Sequence, residues 1–248
     1  MEALILAMTK MLSGICTAGF TTEPDPVTGL RWVQPVKEHS TLLPGDMTTA
    51  DNCLVQCGAV VALQLKAPRP DPPHVEDWLT DFIYHRPRVA RRLEGDHRAA
   101  FFPRYLDRAP EEVLDHQRRS LCLVRPDRVA ARFSLDPYSG KYQARLDLDL
   151  GHRHLWNLPV TDLKWRALGR SWLGGGGELS LEQSELDEQL TAKEIYLALG
   201  LSRGYQGKLW LMVIGVHVVP DYVMAVDHDR RCRLGYWVTI LDGSAGRL

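Results

Sequence analysis

The sequence predicts a mostly β protein with an α-helical insert, an α+β chain of two small β-barrels with a helical segment between them. Three observations predict this fold. Residues 1–70 and 120–220 are rich in short apolar stretches that alternate with polar residues. Residues 71–119 have apolar spacing and proline breaks typical of short helices. The composition, 45% hydrophobic and 25% charged residues, is that of a globular protein.

The first predicted barrel, residues 1–70, consists of four or five strands. An apolar run forms the first strand, and a hairpin follows, whose tip has the turn-forming letters EPDPVTG. A long alternating stretch after the next loop supplies the remaining strands. The predicted strands cover residues 3–8, 14–22, 31–36 and 52–68.

The helical connector, residues 71–119, begins after a segment with four prolines at positions 67–73. Val75, Trp78, Leu79 and Phe82 have the spacing of one helical face. Later prolines interrupt the pattern and divide it into two or three short helices.

The second predicted barrel, residues 120–220, returns to alternating strands. A short helix should begin after an N-cap at Thr161 or Asp162. The glycine-rich, acidic stretch 173–194 is expected to be a loop. Residues 221–248 are predicted to form a C-terminal hairpin.

Composition excludes few functions. The formal net charge of −1 argues against a protein that coats nucleic acid by bulk charge. The five cysteines include no second Cys or His pair at zinc-like spacing, so we expect neither a metal nor another cofactor. The apolar N-terminal run is too short to cross a bilayer and lacks a basic leader region, which favours a cytoplasmic protein without membrane association.

Several short motifs carry a resemblance to a known family. Lys10 is followed by a G-x-C-x-A-G strand at 14–19 and by the letters WVQPV at 32–36. The stretches EDWL, PVTDLKW and IYLALGL occur further along the chain. Together these motifs, over about residues 1 to 220, resemble the dual OB-containing domain family of prokaryotes.

The resemblance implies two OB-like barrels and a role in nucleic-acid recognition within a ribonucleoprotein or defence complex. OB folds bind single strands through aromatic platforms and positive grooves. Trp32 could supply an aromatic platform and Arg31 a positive charge. Alternation on a strand, however, favours Trp32 in the core and Arg31 at the surface. Gln34 stands where the family commonly has arginine, which would weaken a phosphate contact there.

Basic residues are the candidates for contacts with nucleic acid. Residues 86–119 contain nine arginines and six acids, and Arg88, Arg91 and Arg92 have i, i+3, i+4 spacing. A solvated helical face is the alternative interpretation of this charge. The nucleic-acid-binding candidates are Lys10, Arg31, Arg86, Arg88, Arg91, Arg92, Arg98, Arg118 and Arg119.

Histidines are the weaker candidates for chemistry. His152 and His154 would share a strand face and could act as an acid–base pair, but no third ligand for a metal is evident, and surface histidines are the more ordinary interpretation. The acids and histidine at 227–229 are typical of a turn. Four consecutive glycines lack the lysine of a phosphate-binding loop.

Three functional hypotheses follow. The first is a non-catalytic module that binds nucleic acid, RNA before DNA. The second is a protein-interaction subunit of a larger complex, which the near-zero net charge favours. The third is a nuclease or nucleic-acid-modifying enzyme that uses His152 and His154.

Overall fold

The chain is mostly β, as predicted. The computed structural model describes residues 1–11, 14–82, 84–204, 207–224 and 226. Within them lie fourteen strands and four α-helices. The strands are β1 (Glu2–Lys10), β2 (Ile15–Phe20), β3 (Trp32–Val36), β4 (Ala59–Ala62), β5 (Leu65–Pro68), β6 (Asp77–Thr80), β7 (Arg88–Arg92), β8 (Leu121–Val124), β9 (Arg128–Leu135), β10 (Tyr142–Asp149), β11 (His154–Pro159), β12 (Glu178–Leu181), β13 (Glu194–Leu201) and β14 (Leu211–Val219). The helices are α1 (Gly95–Arg104), α2 (Glu111–Leu114), α3 (Leu163–Leu173) and α4 (Gln183–Leu190).

The first half forms a curled seven-stranded sheet in the order β5-β6-β3-β2-β1-β4-β7. The predicted hairpin is confirmed, because β2 and β3 are antiparallel and Phe20 pairs with Trp32. Strand β1 lies near the centre of the sheet, and every residue from Ala3 to Thr9 is buried. Such a continuous buried run indicates a strand covered on both faces.

Two segments that we predicted as helices are strands. The helical prediction for residues 75–82 is wrong, because β6 pairs in parallel with β3 and joins the sheet. The helical prediction for Arg88–Arg92 is also wrong, because β7 pairs with β4 at the edge of the sheet. In both segments, pairing with a distant strand decides the structure over the local apolar spacing.

The second half contains two smaller sheets, one ordered β11-β10-β9-β12 and one ordered β14-β13-β8. The N-cap prediction for α3 is confirmed at Asp162, whose carboxylate accepts hydrogen bonds from the amides of Lys164 and Trp165 at 2.8 and 3.2 Å. The loop prediction for 173–194 is wrong in part. Strand β12 pairs there with β9, and α4 buries Leu186 and Leu190.

Three hydrophobic cores hold the fold together. One lies inside the first sheet, around Ile5 and Met47, and one lies within the second half, around Phe133 and Trp165. The third is shared, because Leu6 and Trp32 of the first half pack with residues of the β14-β13-β8 sheet. The two halves therefore form one packed body.

Backbone and buried polar groups join the two halves directly. The amide of Lys10 donates to the carbonyl of Thr161 at 2.9 Å. The buried Glu76 carboxylate accepts hydrogen bonds from the amide and hydroxyl of Ser120, both at 3.0 Å. A Cβ at Gly215 would lie 2.0 Å from the carbonyl oxygen of Leu6, so only glycine allows β14 to approach β1 this closely.

Some expectations stay predictions. The domain boundaries at residues 70, 119 and 220 remain our proposal. The C-terminal hairpin of 221–248 and the acidic turn at 227–229 fall almost entirely outside the described residues. Among the helices of the described part of the chain, none is long and apolar enough to span a membrane.

Candidate nucleic-acid interface

Two arginines of helix α3 meet at Tyr142, the first residue of β10, and Arg145 of β10 acts electrostatically on one of them, Arg166. Arg166 and Arg170 are one turn apart on α3, and their guanidinium groups lie 5.0 and 4.7 Å from the centre of the Tyr142 ring. A Cβ at Gly169 would lie 2.1 Å from the Phe133 ring, so this glycine lets α3 pack closely against the sheet. The helix thereby brings both arginines to the tyrosine.

Hydrogen bonds to neutral groups fix the orientation of these arginines. Arg166 donates to the carbonyls of Val160 and Tyr142, both at 3.1 Å. Arg145 donates to the carbonyl of Asn157 and to the side-chain oxygen of Gln143, both at 3.3 Å. In the described residues, no carboxylate forms an ion pair with Arg145, Arg166 or Arg170. Their positive charge therefore remains available to an anion.

The neighbouring cations affect the pKa of Arg166. Burial lowers the pKa of Arg166 below its ordinary value, and the neighbouring charges of Arg170 and Arg145 lower it further. The nearby Asp147 carboxylate does not relieve them, because it accepts from the amide of Asn157 at 2.5 Å and faces Arg132 at 3.5 Å. An incoming phosphate would relieve this repulsion.

An exposed aromatic pair adjoins the arginines. Trp156 of β11 is 70% exposed, and the His154 ring stacks on it with ring centres 5.9 Å apart. The carbonyl that holds Arg145 belongs to Asn157, the next residue after Trp156. We call Tyr142, Arg145, Trp156, Arg166 and Arg170 the Tyr142 surface.

The arginines predicted from the dense basic segment lie elsewhere. Arg86, Arg88, Arg91 and Arg92 are all exposed on or just before the edge strand β7, and we call them the β7 strip. The predicted helical face does not exist, because Arg88–Arg92 is extended. Arg91 forms an ion pair with Glu2 at 2.8 Å.

Two other arginines of that segment are committed to internal partners. Arg98 is 2% exposed, donates to the carbonyl of Val218 at 2.8 Å and pairs with Asp221 at 3.1 Å. It is inside the protein and cannot contact nucleic acid in this conformation. Arg118 is exposed and pairs with Glu112 at 3.3 Å.

Arg31 and Arg119 are brought together by the fold. Both line a cavity of about 540 Å³ beside the β2–β3 hairpin, together with Tyr105. The Arg31 guanidinium lies 5.5 Å from the centre of the Tyr105 ring, whereas Arg119 makes a paired contact with Asp107 at 2.6 and 2.7 Å. Trp32 is 4% exposed, which confirms the interpretation that it belongs to the core.

Lys10 lies at a different cavity, of about 860 Å³, between the first sheet and the β14-β13-β8 sheet. We call it the interface cleft. The polar residues that line the interface cleft include Lys10, Cys16, Gln34, His74, Asp77 and Arg203.

The two candidate histidines lie in different surroundings. His152 is an exposed residue of the turn before β11, and His154 faces Asp149, with 3.4 Å between Nδ1 and Oδ2. Among the described residues, no group of three His, Cys, Asp or Glu side chains could hold a metal ion.

Sequence reasoning missed the Tyr142 surface. Tyr142, Arg145, Arg166 and Arg170 come from two elements more than twenty residues apart, so no local density of charge marks them. The one signal in the sequence is the i, i+4 spacing of Arg166 and Arg170 after the recognised N-cap.

Comparison with known proteins gives one match. A family model described as a dual OB-containing domain matches residues 1–216. No curated protein and no solved structure matches the chain.

Proposed function

The chain belongs to the dual OB-containing domain family, and on that premise we propose that it is a non-catalytic module that binds single-stranded nucleic acid. RNA is our first candidate. We further propose that it works in the cytoplasm of a prokaryote, within a ribonucleoprotein or defence complex. OB folds commonly bind nucleic acid, which supports the general class of ligand.

The Tyr142 surface carries this proposal. Single strands are held by bases that stack on aromatic side chains and by phosphates that meet cations. Trp156 offers an exposed aromatic face, and Arg145 and Arg170 offer guanidinium groups without an ion-pair partner in the described chain. An arginine fork suits phosphate oxygens better than a lysine does. A strand that crosses β11 toward α3 would meet both kinds of contact.

The residues predicted from sequence are secondary contacts in this proposal. Lys10, Arg31, the β7 strip, Arg118 and Arg119 remain candidates for phosphate contacts outside the Tyr142 surface. Arg98 leaves the proposal, because it is buried and ion-paired with Asp221.

The test is a fluorescence anisotropy titration of the purified chain with labelled single strands of about 12 nucleotides, a length within the range that OB folds cover. RNA, DNA and a duplex of the same sequence are compared at low and near-physiological salt. We expect binding to the single strands that weakens as salt rises, because phosphate contacts release counterions. If neither single strand binds at low salt, the proposal is wrong.

A second candidate function is that of a protein-interaction subunit. Strand β7 forms an edge of the seven-stranded sheet and its arginines are exposed, so an acidic partner strand could add to that edge. Copurification of a protein partner that stays bound at high salt, together with failure of the titration above, would favour this function over the first.

A further inference from the structure

The interface cleft combines an apolar wall with a compact polar floor. Ala7 and Ala18 of the first sheet and Met212 and Ile214 of β14 line the wall. The cleft volume of about 860 Å³ is in the range of small-ligand sites. Its position between the two halves of the chain is also typical of ligand sites.

The floor is built from residues of several separate segments. Gln34 donates its side-chain N–H to the sulfur of Cys16 at 3.3 Å. Asp77, which is opposite Gln34 in the β3–β6 pairing, accepts a hydrogen bond from Arg203 at 2.6 Å through Oδ2. Arg203 also acts electrostatically on Cys16 and on His74, so the groups are close together.

Two buried acceptor atoms on this floor have no donor within the described part of the chain. His74 is 4% exposed, and its Nε2 lies 3.2 Å from the carbonyl oxygen of Ser202. Because a carbonyl only accepts, Nε2 carries the proton and Nδ1 is left as an acceptor. Asp77 is 3% exposed, and among the described residues neither its Oδ1 nor His74 Nδ1 has a hydrogen-bond partner.

The protonation states of His74 and Asp77 near pH 7 support their assignment as hydrogen-bond acceptors. Burial lowers the pKa of His74 to about 4, and the charge of Arg203 contributes, so the ring is neutral near pH 7. Burial raises the pKa of Asp77 to about 6, although Arg203 opposes the rise, so the carboxylate is mostly ionised there. Asp77 Oδ1 and His74 Nδ1 are therefore acceptor atoms without a donor among the described residues at neutral pH, an arrangement that is unfavourable unless a ligand provides one.

Four cations line the cleft, Lys10, Lys37, Arg69 and Arg203, together with the acids Glu38 and Asp71. Lys37 is ion-paired with Asp46 and Arg203 with Asp77, both at 2.6 Å, so Lys10 and Arg69 are the cations of the mouth without such a pair among the described contacts. Arg69 is exposed and donates to the carbonyl of Glu38 at 3.0 Å, which leaves its charge without a carboxylate partner among the described contacts. A ligand with an N–H donor edge and a phosphate would match both ends of the cleft.

We propose that the interface cleft binds a guanine base, with His74 and Asp77 accepting hydrogen bonds from its N–H edge and with the cations at the mouth facing its phosphate. Both acceptors are shielded from solvent, so the base reaches them as the Arg203 side chain, which is 40% exposed, turns outward. Arg203 then lies beside the phosphate.

Base chemistry selects guanine. Its Watson–Crick edge presents N–H bonds on N1 and N2 side by side, which match two acceptors. Adenine and cytosine place an acceptor nitrogen next to their amino group, and uracil has one N–H between two carbonyls. Each of these would put an acceptor against His74 or Asp77.

The guanine can come from a free nucleotide or from a strand, and the experiment separates the two. Isothermal titration calorimetry of the full chain at neutral pH compares GMP with AMP, CMP and UMP. A strand with a single guanine is compared with one in which adenine replaces it. We expect GMP to bind at least tenfold more tightly than AMP. If GMP does not bind but the guanine strand is preferred by the same factor, the source is a strand.

Two variants and a control test the site itself. Asp77→Asn should weaken guanine binding at least tenfold, because the amide has no negative charge and keeps only one of the two acceptor oxygens. Asp81→Asn makes the same substitution just after β6, where Asp81 pairs with Lys66 outside the cleft, and should have no effect. Ser40→Trp, at an exposed position at the mouth, should block the cleft if Asp77→Asn does not fold.

This inference stands apart from the proposed strand binding. Equal affinity for GMP and AMP, together with no preference for the guanine strand, would overturn it and leave the Tyr142 surface untouched. Unchanged guanine binding by a folded Asp77→Asn or Ser40→Trp variant would also overturn it. Guanine binding in the cleft without any binding of guanine-free strands would instead contradict the proposed function of the Tyr142 surface.

Discussion

The β7 strip and the Tyr142 surface are both rich in arginine, but their arginines differ in their ion pairs and in the groups that hold them in place. In the β7 strip the arginines are neighbours in sequence and extend from an exposed edge strand, where Arg91 is paired with Glu2. In the Tyr142 surface the arginines come from two separate elements, β10 and α3, are held by carbonyls and an aromatic ring, and lack an acidic partner in the described chain.

This difference separates two roles of surface arginine. Arginines on an edge strand keep strands without the opposite charge from pairing with it, which would account for the β7 strip without any ligand. Arginines fixed by neutral acceptors keep their charge and lose little side-chain freedom when an anion arrives. Orientation and pairing, more than local density, therefore mark the stronger candidate interface.

The largest expected effect is at Trp156. Trp156→Ala should weaken single-strand binding by about 1–3 kcal/mol, the contribution of one stacked base. Tyr84 is a matched control, because it is 80% exposed and precedes the β7 strip. Tyr84→Ala should change the dissociation constant little in the same anisotropy titration. If Tyr84→Ala has the larger effect, the comparison is reversed and the strip is the interface.

The next effect comes from the charges of the Tyr142 surface. Arg145→Ala combined with Arg170→Ala should weaken binding about tenfold at low salt and reduce the slope of log K against log salt by about 1.4, since each phosphate contact of a single strand contributes about 0.7. Arg166 stays unchanged in this variant, because it bridges the Val160 and Tyr142 carbonyls. A salt slope equal to that of the wild type would exclude these two arginines from phosphate contact.

The hairpin and the second-half strands could be predicted because their signals are local. Turn-forming residues follow β2, and alternation continues into β3, so neighbouring residues specify the pairing of Phe20 with Trp32. The N-cap at Asp162 is local in the same way. The family resemblance, which also rests on short local motifs, is confirmed by the family-model match over residues 1–216.

The strands β6 and β7 could not be predicted, because their partners are distant. Trp78 and Leu79 have helical apolar spacing, but β6 pairs in parallel with β3, some forty residues earlier in the chain. A parallel partner leaves no turn signal next to the strand. Four apolar residues with helix-like spacing thus led to the wrong prediction for β6, and the helix-like spacing of Arg88, Arg91 and Arg92 led to the wrong prediction for β7.

The candidate sites also divide into residues with a local sequence signal and residues that only the fold brings together. Arg31 and Lys10 could be found from the family motifs, whereas the Tyr142 surface depends on α3 packing beside β10, which Gly169 permits. In the interface cleft, the parallel pairing of β6 with β3 brings Asp77 opposite Gln34. Because that pairing was not predicted, neither was the polar floor of the cleft.

A smaller effect is expected from the β7 strip. The triple variant Arg88→Ala, Arg91→Ala, Arg92→Ala should weaken strand binding about threefold or less, because these arginines are exposed on an edge strand and Arg91 is already paired with Glu2, so they contribute mainly to the general field around the protein. The measurement is the same titration at low salt, beside the Arg145/Arg170 double variant. A loss equal to or larger than that of the double variant would contradict the ranking of the two regions.

The smallest effect tests whether the ion pair between Arg91 and Glu2 weakens the binding of nucleic acid by the β7 strip. Glu2→Gln removes the carboxylate that holds Arg91 at 2.8 Å and keeps the size of the side chain. An exposed pair of this kind contributes about 0.2–1 kcal/mol, so freeing Arg91 should tighten strand binding by about twofold or less at low salt. The gain should vanish when Arg91→Ala is added, which separates the released arginine from the general loss of negative charge. If Glu2→Gln tightens binding equally with and without Arg91, the strip acts through net charge alone, and pairing does not explain why it differs from the Tyr142 surface.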